Sequence, residues 1–420
     1  MMKNKMKWSL LALLAMTCIM SCSINGKKSN NGVRETSIQN SSIKKPITNN
    51  RYKKSNASWL AGSWGISQRV DGGYRLDKSA KSSNWQAGAK QIVKNLPAAG
   101  HVITSFTHPA HAYLYTLRKN NRVDVAAIHP KMVPTLENEK IIFDVINIYR
   151  KAGKKVILYL NAAGPSMIGD DGADNDIKRA WKKYYTTQWN GDEGAAWRNL
   201  VLGYAERFNG LIDGYWLDNA RKLPGDLSKF IAMLRSVDPT LSIAVNRSKE
   251  YFTDNKNKPL YVDSDGVNDN NKRDYKIVKH VPLDEFSDFT AGHVTPLGRG
   301  APPNSWGYEE YTIPDMAKTP WTSYNRHKKA LKHAWFPIRE RWSVAKTKIV
   351  FEVEQAYRFV RTITDNGAAM TWSTTQKKGF MKPDEMKIMV EINSRMTQNP
   401  KAPFKAYKRP KGATLVKTQS

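Results

Sequence analysis

DGYWLDNARK, Asp213 to Lys222, places an acid, Asp218, at the end of a short apolar run, with an amide beside it and an arginine three residues on. A run this short and this rich in aromatic and branched residues reads as a buried strand. Seven other runs have the same form: WGISQRV (64–70), HVITSFTH (101–108), KVILYLNAA (155–163), LSIAVNR (241–247), FTAGHV (289–294), HAWFPI (333–338) and GAAMTWS (367–373).

Helical patterns with apolar residues three and four apart separate them, most clearly at 139–155, 195–210, 225–239 and 350–367, and several stop at Gly or Asp-Pro. Strand and helix alternating in this way predict an α/β fold, a single (β/α)8 TIM barrel. The strands open apolar and close on His108, Asn161, Asp218, Asn246, His293 and Trp372. In such barrels the C-terminal strand ends build the active site, so these closing residues mark a catalytic mouth. Two polar insertions, 169–193 and 251–275, follow strands on that side and are expected to shape a cleft.

The chain opens with Lys3, Lys5 and Lys7, runs apolar from Trp8 to Met20, and reaches Cys18 and Cys22. This pattern predicts a secretory signal, too short for the ~20 residues of a spanning helix. IMSC, Ile19 to Cys22, resembles a bacterial lipobox, which implies cleavage after Ser21 and lipidation of Cys22, hence an exported protein anchored to a membrane. No Cys follows, so the mature domain is expected without disulfides or thiol chemistry. The expected organisation is a signal at 1–21, an Asn-, Ser- and Lys-rich tether at 22–57, the barrel at 58–400 and a basic tail at 401–420.

The formal net charge is +30; residues 1–57 hold 11 Lys/Arg against one acid and 401–420 six against none, which leaves +14 on the body. A field of that sign attracts nucleic acid, anionic lipid or sulfated polysaccharide, and export argues against nucleic acid.

Within this basic chain, Asp218 is flanked by Asn219 and Arg221 and is able to stay ionised as a nucleophile or charge stabiliser; alternatively it caps the next helix or pairs with Arg221. GLIDGYWLDNAR (210–221) resembles the nucleophile strand of α-L-fucosidase-like barrels. SFTHPAHAYLY (105–115) resembles their His-bearing second strand, without its usual paired-His and Asp-Gly form. In length, charge and lack of a C-terminal sandwich the chain is more similar to endo-α-1,3-fucanases, single barrels that cut sulfated fucans internally.

The resemblance implies a glycoside hydrolase acting on a sulfated, fucose-containing polysaccharide, with Asp218 as nucleophile and a downstream Glu as acid/base. Glu285, in LDEFSDFTAGHVTPL (283–297), is the closest counterpart, ahead of Glu309 and Glu310; because it precedes the sixth strand, its loop has to fold back over the mouth. Retention requires the two carboxyls ~5–5.5 Å apart, inversion 6.5–9.5 Å. An exo-acting α-L-fucosidase and a non-catalytic glycan-binding lipoprotein are the alternatives.

Sugar contacts are expected from His108, His111, Asn161, Asn219, Asn246 and His293, from the indoles of Trp216, Trp335 and Trp372, and from Arg247. Arg339 and Arg341 are further candidates for sulfate esters. No metal or other cofactor is expected: HExxH is absent, and DSDGVNDNNKRD (263–274) lacks the closing Glu of an EF-hand loop.

Overall fold

The apolar runs become strands because alternate side chains find two different apolar environments, one inside a curled sheet and one beneath its helices. In the computed structural model the described residues are 55–68, 81–107, 115–167, 175–246, 280–292, 313–324, 328–339 and 347–406, with the backbone of two further short strands, Tyr251–Thr253 and Pro259–Tyr261. All lie in the unit Arg51–Ser420; the unit Met1–Asn50, with Cys22, is outside the described residues.

Seven strands form one parallel sheet: β1 (Trp64–Gln68), β2 (His101–Thr107), β3 (Lys155–Asn161), β4 (Gly214–Asp218), β5 (Ser242–Val245), β6 (His333–Pro337) and β7 (Ala369–Ser373). Their spatial order is β6-β7-β1-β2-β3-β4-β5. Against the expected eight, the sixth run is not a regular strand. Residues 288–292 still bridge β5 and β6: Asp288 N donates to Ile243 O at 2.6 Å, and Trp335 N to Gly292 O at 2.7 Å. The regular pleat is broken at Gly292, which has φ +57° and where a Cβ would sit 2.0 Å from His333 O.

Helices α1 (Ser82–Asn95), α2 (Ile141–Lys151), α3 (Asn175–Gln188), α4 (Glu193–Phe208), α5 (Leu227–Val237), α6 (Val353–Asp365) and α7 (Pro383–Met396) occupy the connections. Asp192 and Asp226 cap α4 and α5 by accepting from Ala195 N and Lys229 N. Along β4, Tyr215 and Leu217 join the large core beneath the helices, whereas Trp216 joins Ile157, Tyr159, Ala244, Phe289 and Trp335 inside the sheet.

The motif DGYWLD has its two acids at opposite ends of β4. Asp213 accepts from Val156 N at 2.9 Å and pairs with Lys155 at 2.8 Å, locking the head of β4 to β3. Gly214 follows because a Cβ would lie 2.5 Å from Ser242 O.

The packed body extends past both of the boundaries expected for it, 58 and 400. Ala57 and Leu60 of the turn Asn56–Leu60 enter the inner core, and the Asn56 amide donates to Pro239 O and Leu241 O at 2.8 and 3.1 Å. Past 400, Tyr357 donates to Ala402 O at 2.7 Å, and the Phe404 ring lies between Arg358 and Arg361 at 4.6 and 4.8 Å.

Candidate active site

Strand register decides which polar residues meet. Asn161 is paired with Asp218 across β3 and β4, and Asn246 follows directly on β5, its N donating to Leu217 O at 2.8 Å. Side-chain alternation puts Tyr159, Trp216 and Ala244 one layer below, inside the sheet. Asn161, Asp218 and Asn246 therefore form a row at the C-terminal strand ends, above an aromatic layer.

Asp218 is half-buried, and four donors hold its carboxylate. Oδ1 accepts from Asn219 N and Asn246 Nδ2, each at 2.9 Å; Oδ2 accepts from the Tyr159 hydroxyl and, at 3.3 Å, from Asn219 Nδ2. Asn219 reaches both oxygens because its backbone is left-handed, φ 51° and ψ 30°, a conformation Asn tolerates better than most residues. Neither alternative for Asp218 matches this geometry: Asn219, not Asp218, stands at the N-cap of the turn Ala220–Lys222, and Arg221 is not among the carboxylate's partners.

Tyr159 escaped the sequence reading. Its ring stacks on Trp216 at 5.5 Å and 16°, and Trp216 in turn meets Trp335 edge-on at 4.8 Å and donates from Nε1 to Ala291 O at 2.8 Å. The phenol is thus fixed from below and aimed at the acid. The signal was present in KVILYLN, where Tyr159 stands two residues before Asn161 and so on the same face, but the register against β4 was not.

Two buried polar atoms beside Asp218 have no hydrogen-bond partner: Asn161 Nδ2 and Asn246 Oδ1. Both residues are 1% exposed. The amide orientations follow from their other contacts, since Asn161 Oδ1 accepts from Ala163 N at 3.2 Å and Asn246 Nδ2 donates to the carboxylate. One donor and one acceptor are left unspent next to an oriented carboxylate, which is the condition of a site that completes its hydrogen bonds with a ligand.

Residues 54–419 match the family described as endo-alpha(1,4)-fucoidanase Mef1. The chain belongs to the Mef1 family. This Mef1-family protein is a glycoside hydrolase, in agreement with its similarity to the solved endo-fucoidan hydrolase P5AFcnA of glycoside hydrolase family 107, at 70% identity over 86% of this chain and 98% of that one, with a TM-score of 0.77. Two further family 107 endo-fucoidan hydrolases, MfFcnA4 and MfFcnA9, match its fold at 14% and 15% identity, TM-scores 0.58 and 0.59, over 81% of this chain and 53% and 63% of theirs. No curated protein matches.

Other expected site residues of the Mef1-family hydrolase fall elsewhere. Glu285 is exposed on a turn that precedes the sixth segment and does not fold back over the mouth. The turn is held by Asp284, which accepts from Phe286 N and Ser287 N at 2.8 Å. Arg235 fixes its position: the guanidinium contacts Phe286 O, Asp288 Oδ2 and Leu241 O, just before β5 begins. Glu285 therefore sits at the end of the sheet where strands start, away from Asp218, and the acid/base role expected of it is withdrawn.

Trp372 is fully buried in the core beneath the helices, against Phe351 at 5.0 Å and Phe336 at 5.8 Å, because alternation along β7 turns it outward. It offers no ring to a sugar. Trp216 and Trp335 are 0% and 3% exposed, so they form a pedestal under the site instead of a stacking surface. Arg339 is bound to Asp384 and Glu385, which removes it from sulfate binding. His108, His111, Arg247, His293, Glu309, Glu310, Arg341 and the run 263–274 lie outside the described residues.

Proposed function

We propose that the protein hydrolyses a sulfated fucan within the chain by a retaining double displacement in which Asp218 is the nucleophile. The observation that carries this reading is the Asp218 carboxylate itself: half-exposed at the strand ends, oriented by four donors, and flanked by an unspent donor and an unspent acceptor. The substrate class is supported by the fucoidan-cleaving descriptions of the family and of the 70% identical relative, and by the basic body. The family description supports the α(1,4) bond in place of the α-1,3 bond of the sequence resemblance.

In the first step a carboxylate oxygen of Asp218 bonds to the anomeric carbon while the glycosidic C–O bond breaks and the leaving oxygen takes a proton from a general acid. In the second, water attacks the ester carbon of the sugar, gives its proton to the same group acting as base, and frees Asp218. Tyr159, Asn219 and Asn246 hold the carboxylate in its attacking orientation, and Asn161 and Asn246 meet sugar hydroxyls. The proton donor is sought in the chain continuing from Gly292, where His293, Glu309 and Glu310 stand. Export and anchoring through a lipid on Cys22 complete the proposal; loss of detergent partitioning in Cys22→Ser tests that part.

The deciding experiment is digestion of sulfated fucans of known repeat. Endo action gives a ladder of oligosaccharides early in the reaction, and Asp218→Gly with added azide gives a glycosyl azide. A monosaccharide as the first product refutes endo action, and full activity of Asp218→Gly without azide refutes the nucleophile.

A further inference from the structure

The insertion after β3 contains α3, a helix with two unlike sides. Ile177 and Trp181 face the body: Trp181 is fully buried, meets Trp197 edge-on at 6.4 Å and donates from Nε1 to Glu193 Oε1 at 2.8 Å. The other side exposes Lys178, Arg179, Lys182 and Lys183, with Thr186 and Thr187 beside them. At 100° per residue the four cations share an arc of about 140°.

Arg179 pairs with Asp176, and Lys178, Lys182 and Lys183 make no ion pair among the described residues. Like charges four apart, as in Lys178/Lys182 and Arg179/Lys183, weaken a helix, and among the described residues the Arg179–Asp176 pair is the one ion pair on the exposed side that offsets this. The pattern is not general in this chain, since α7 interleaves Asp384, Glu385 and Glu391 with Lys387 and Arg395. The insertion leaves β3 at Asn161, beside Asp218, and α3 packs on the start of α4, where Trp197 Nε1 donates to Ala162 O at 3.0 Å. The cationic side thus belongs to the same end of the sheet as the carboxylate.

We propose that this side of α3 is a docking track for the polysaccharide itself, binding sulfate monoesters on a stretch of chain beyond the sugar at Asp218. The inference rests on the substrate reading above. Lys and Arg grip sulfate oxygens through charge-assisted hydrogen bonds, and release of counterions from a polyanion makes such binding salt-dependent. A chain held at two places gains effective concentration at the second, an advantage open only to chains long enough to reach both.

The test compares the wild type with a variant carrying Lys178→Gln, Arg179→Gln, Lys182→Gln and Lys183→Gln, on polymeric sulfated fucan and on a short oligosaccharide, across a salt series. The expected result is a KM for polymer raised about tenfold, a flatter salt dependence, and unchanged turnover of the short substrate; Lys-to-Arg replacements at 178, 182 and 183 keep the wild-type KM. An unchanged polymer KM and salt slope overturn the track. Loss of binding to vesicles containing anionic phospholipid, with polymer KM unchanged, assigns the helix to a membrane surface and also overturns it. Failure of the wild type to cut any sulfated fucan refutes the substrate reading, and is seen before the variant is compared.

Discussion

The two ends of the curled sheet's interior are both polar, and they differ in what their hydrogen bonds are spent on. At the floor, Ser63, His101, Thr371, His333 and Thr290 form one chain: Ser63 Oγ to His101 Nδ1 at 2.7 Å, His101 Nε2 to Thr371 Oγ1 and Thr371 Oγ1 to His333 Nε2 at 2.8 Å each, His333 Nδ1 to Thr290 O at 3.2 Å. The carbonyl fixes the direction. His333 Nδ1 donates to Thr290 O, so its neutral ring accepts from Thr371, which accepts from His101, which accepts from Ser63. Every ring nitrogen is engaged, and both imidazoles are fully buried. At the mouth, Asn161 Nδ2 and Asn246 Oδ1 are unspent beside Asp218. Polarity at a strand end is thus a poor mark of a site; unspent capacity around an oriented charge is a better one.

If the mouth alone carries chemistry, Asp218→Ala lowers kcat/KM on sulfated fucan by at least about 10³-fold with little change in Tm, as expected for loss of a covalent nucleophile. Thermal unfolding beside the rate assay separates this from a folding defect. The floor behaves in the opposite way. Thr371→Val strands Nε2 of two buried imidazoles and costs about 2–6 kcal/mol, at 1–3 kcal/mol for each orphaned group, while kcat per folded molecule stays the same; urea unfolding with active-site titration reads both.

Tyr159→Phe tests the link between the aromatic layer and the carboxylate. Removing one donor to Asp218 frees the carboxylate to turn and lowers kcat by roughly 10- to 100-fold with KM little changed. An unchanged kcat limits Tyr159 to packing.

A separate effect is on stability in acid. Burial pushes His333 down to about 3 and His280 to about 4, and it also lowers His101, with help from the His333 and Lys154 charges. Around His280, Asp315 raises and Lys332 lowers the value, burial winning. The folded state therefore keeps these rings neutral while the unfolded chain protonates them near 6.5. Their contribution is complete above about pH 6.5 and is lost as pH falls from there through the folded values, by about 1.4 kcal/mol per pH unit for each ring. Urea midpoints at pH 7.5, 6 and 5 measure this, and a flat profile refutes the neutral floor.

Much of the site was legible in DGYWLDNARK. Asp218 is a carboxylate at the end of a buried strand, and Asn161 and Asn246 close neighbouring strands by the same alternation. Trp372 was misread because its run, GAAMTWS, does not say which face of the strand points inward. Glu285 was misread because a turn before a strand and a loop over a mouth have the same polar composition. The sixth run was read as regular because a single glycine does not announce a positive φ.

What the sequence by itself determined is the alternation of apolar strands and amphipathic helices, the acid closing β4, and the positive charge of body and ends. These follow from residue type and spacing, which the chain carries locally. Only the tertiary structure decided that Tyr159 lies under Asp218, that Glu285 lies at the far end, and that His101 and His333 of the floor are saturated while the asparagines of the mouth are not. Those facts depend on strand register and on which partners a buried polar atom finds, and both are set by packing among residues far apart in the chain.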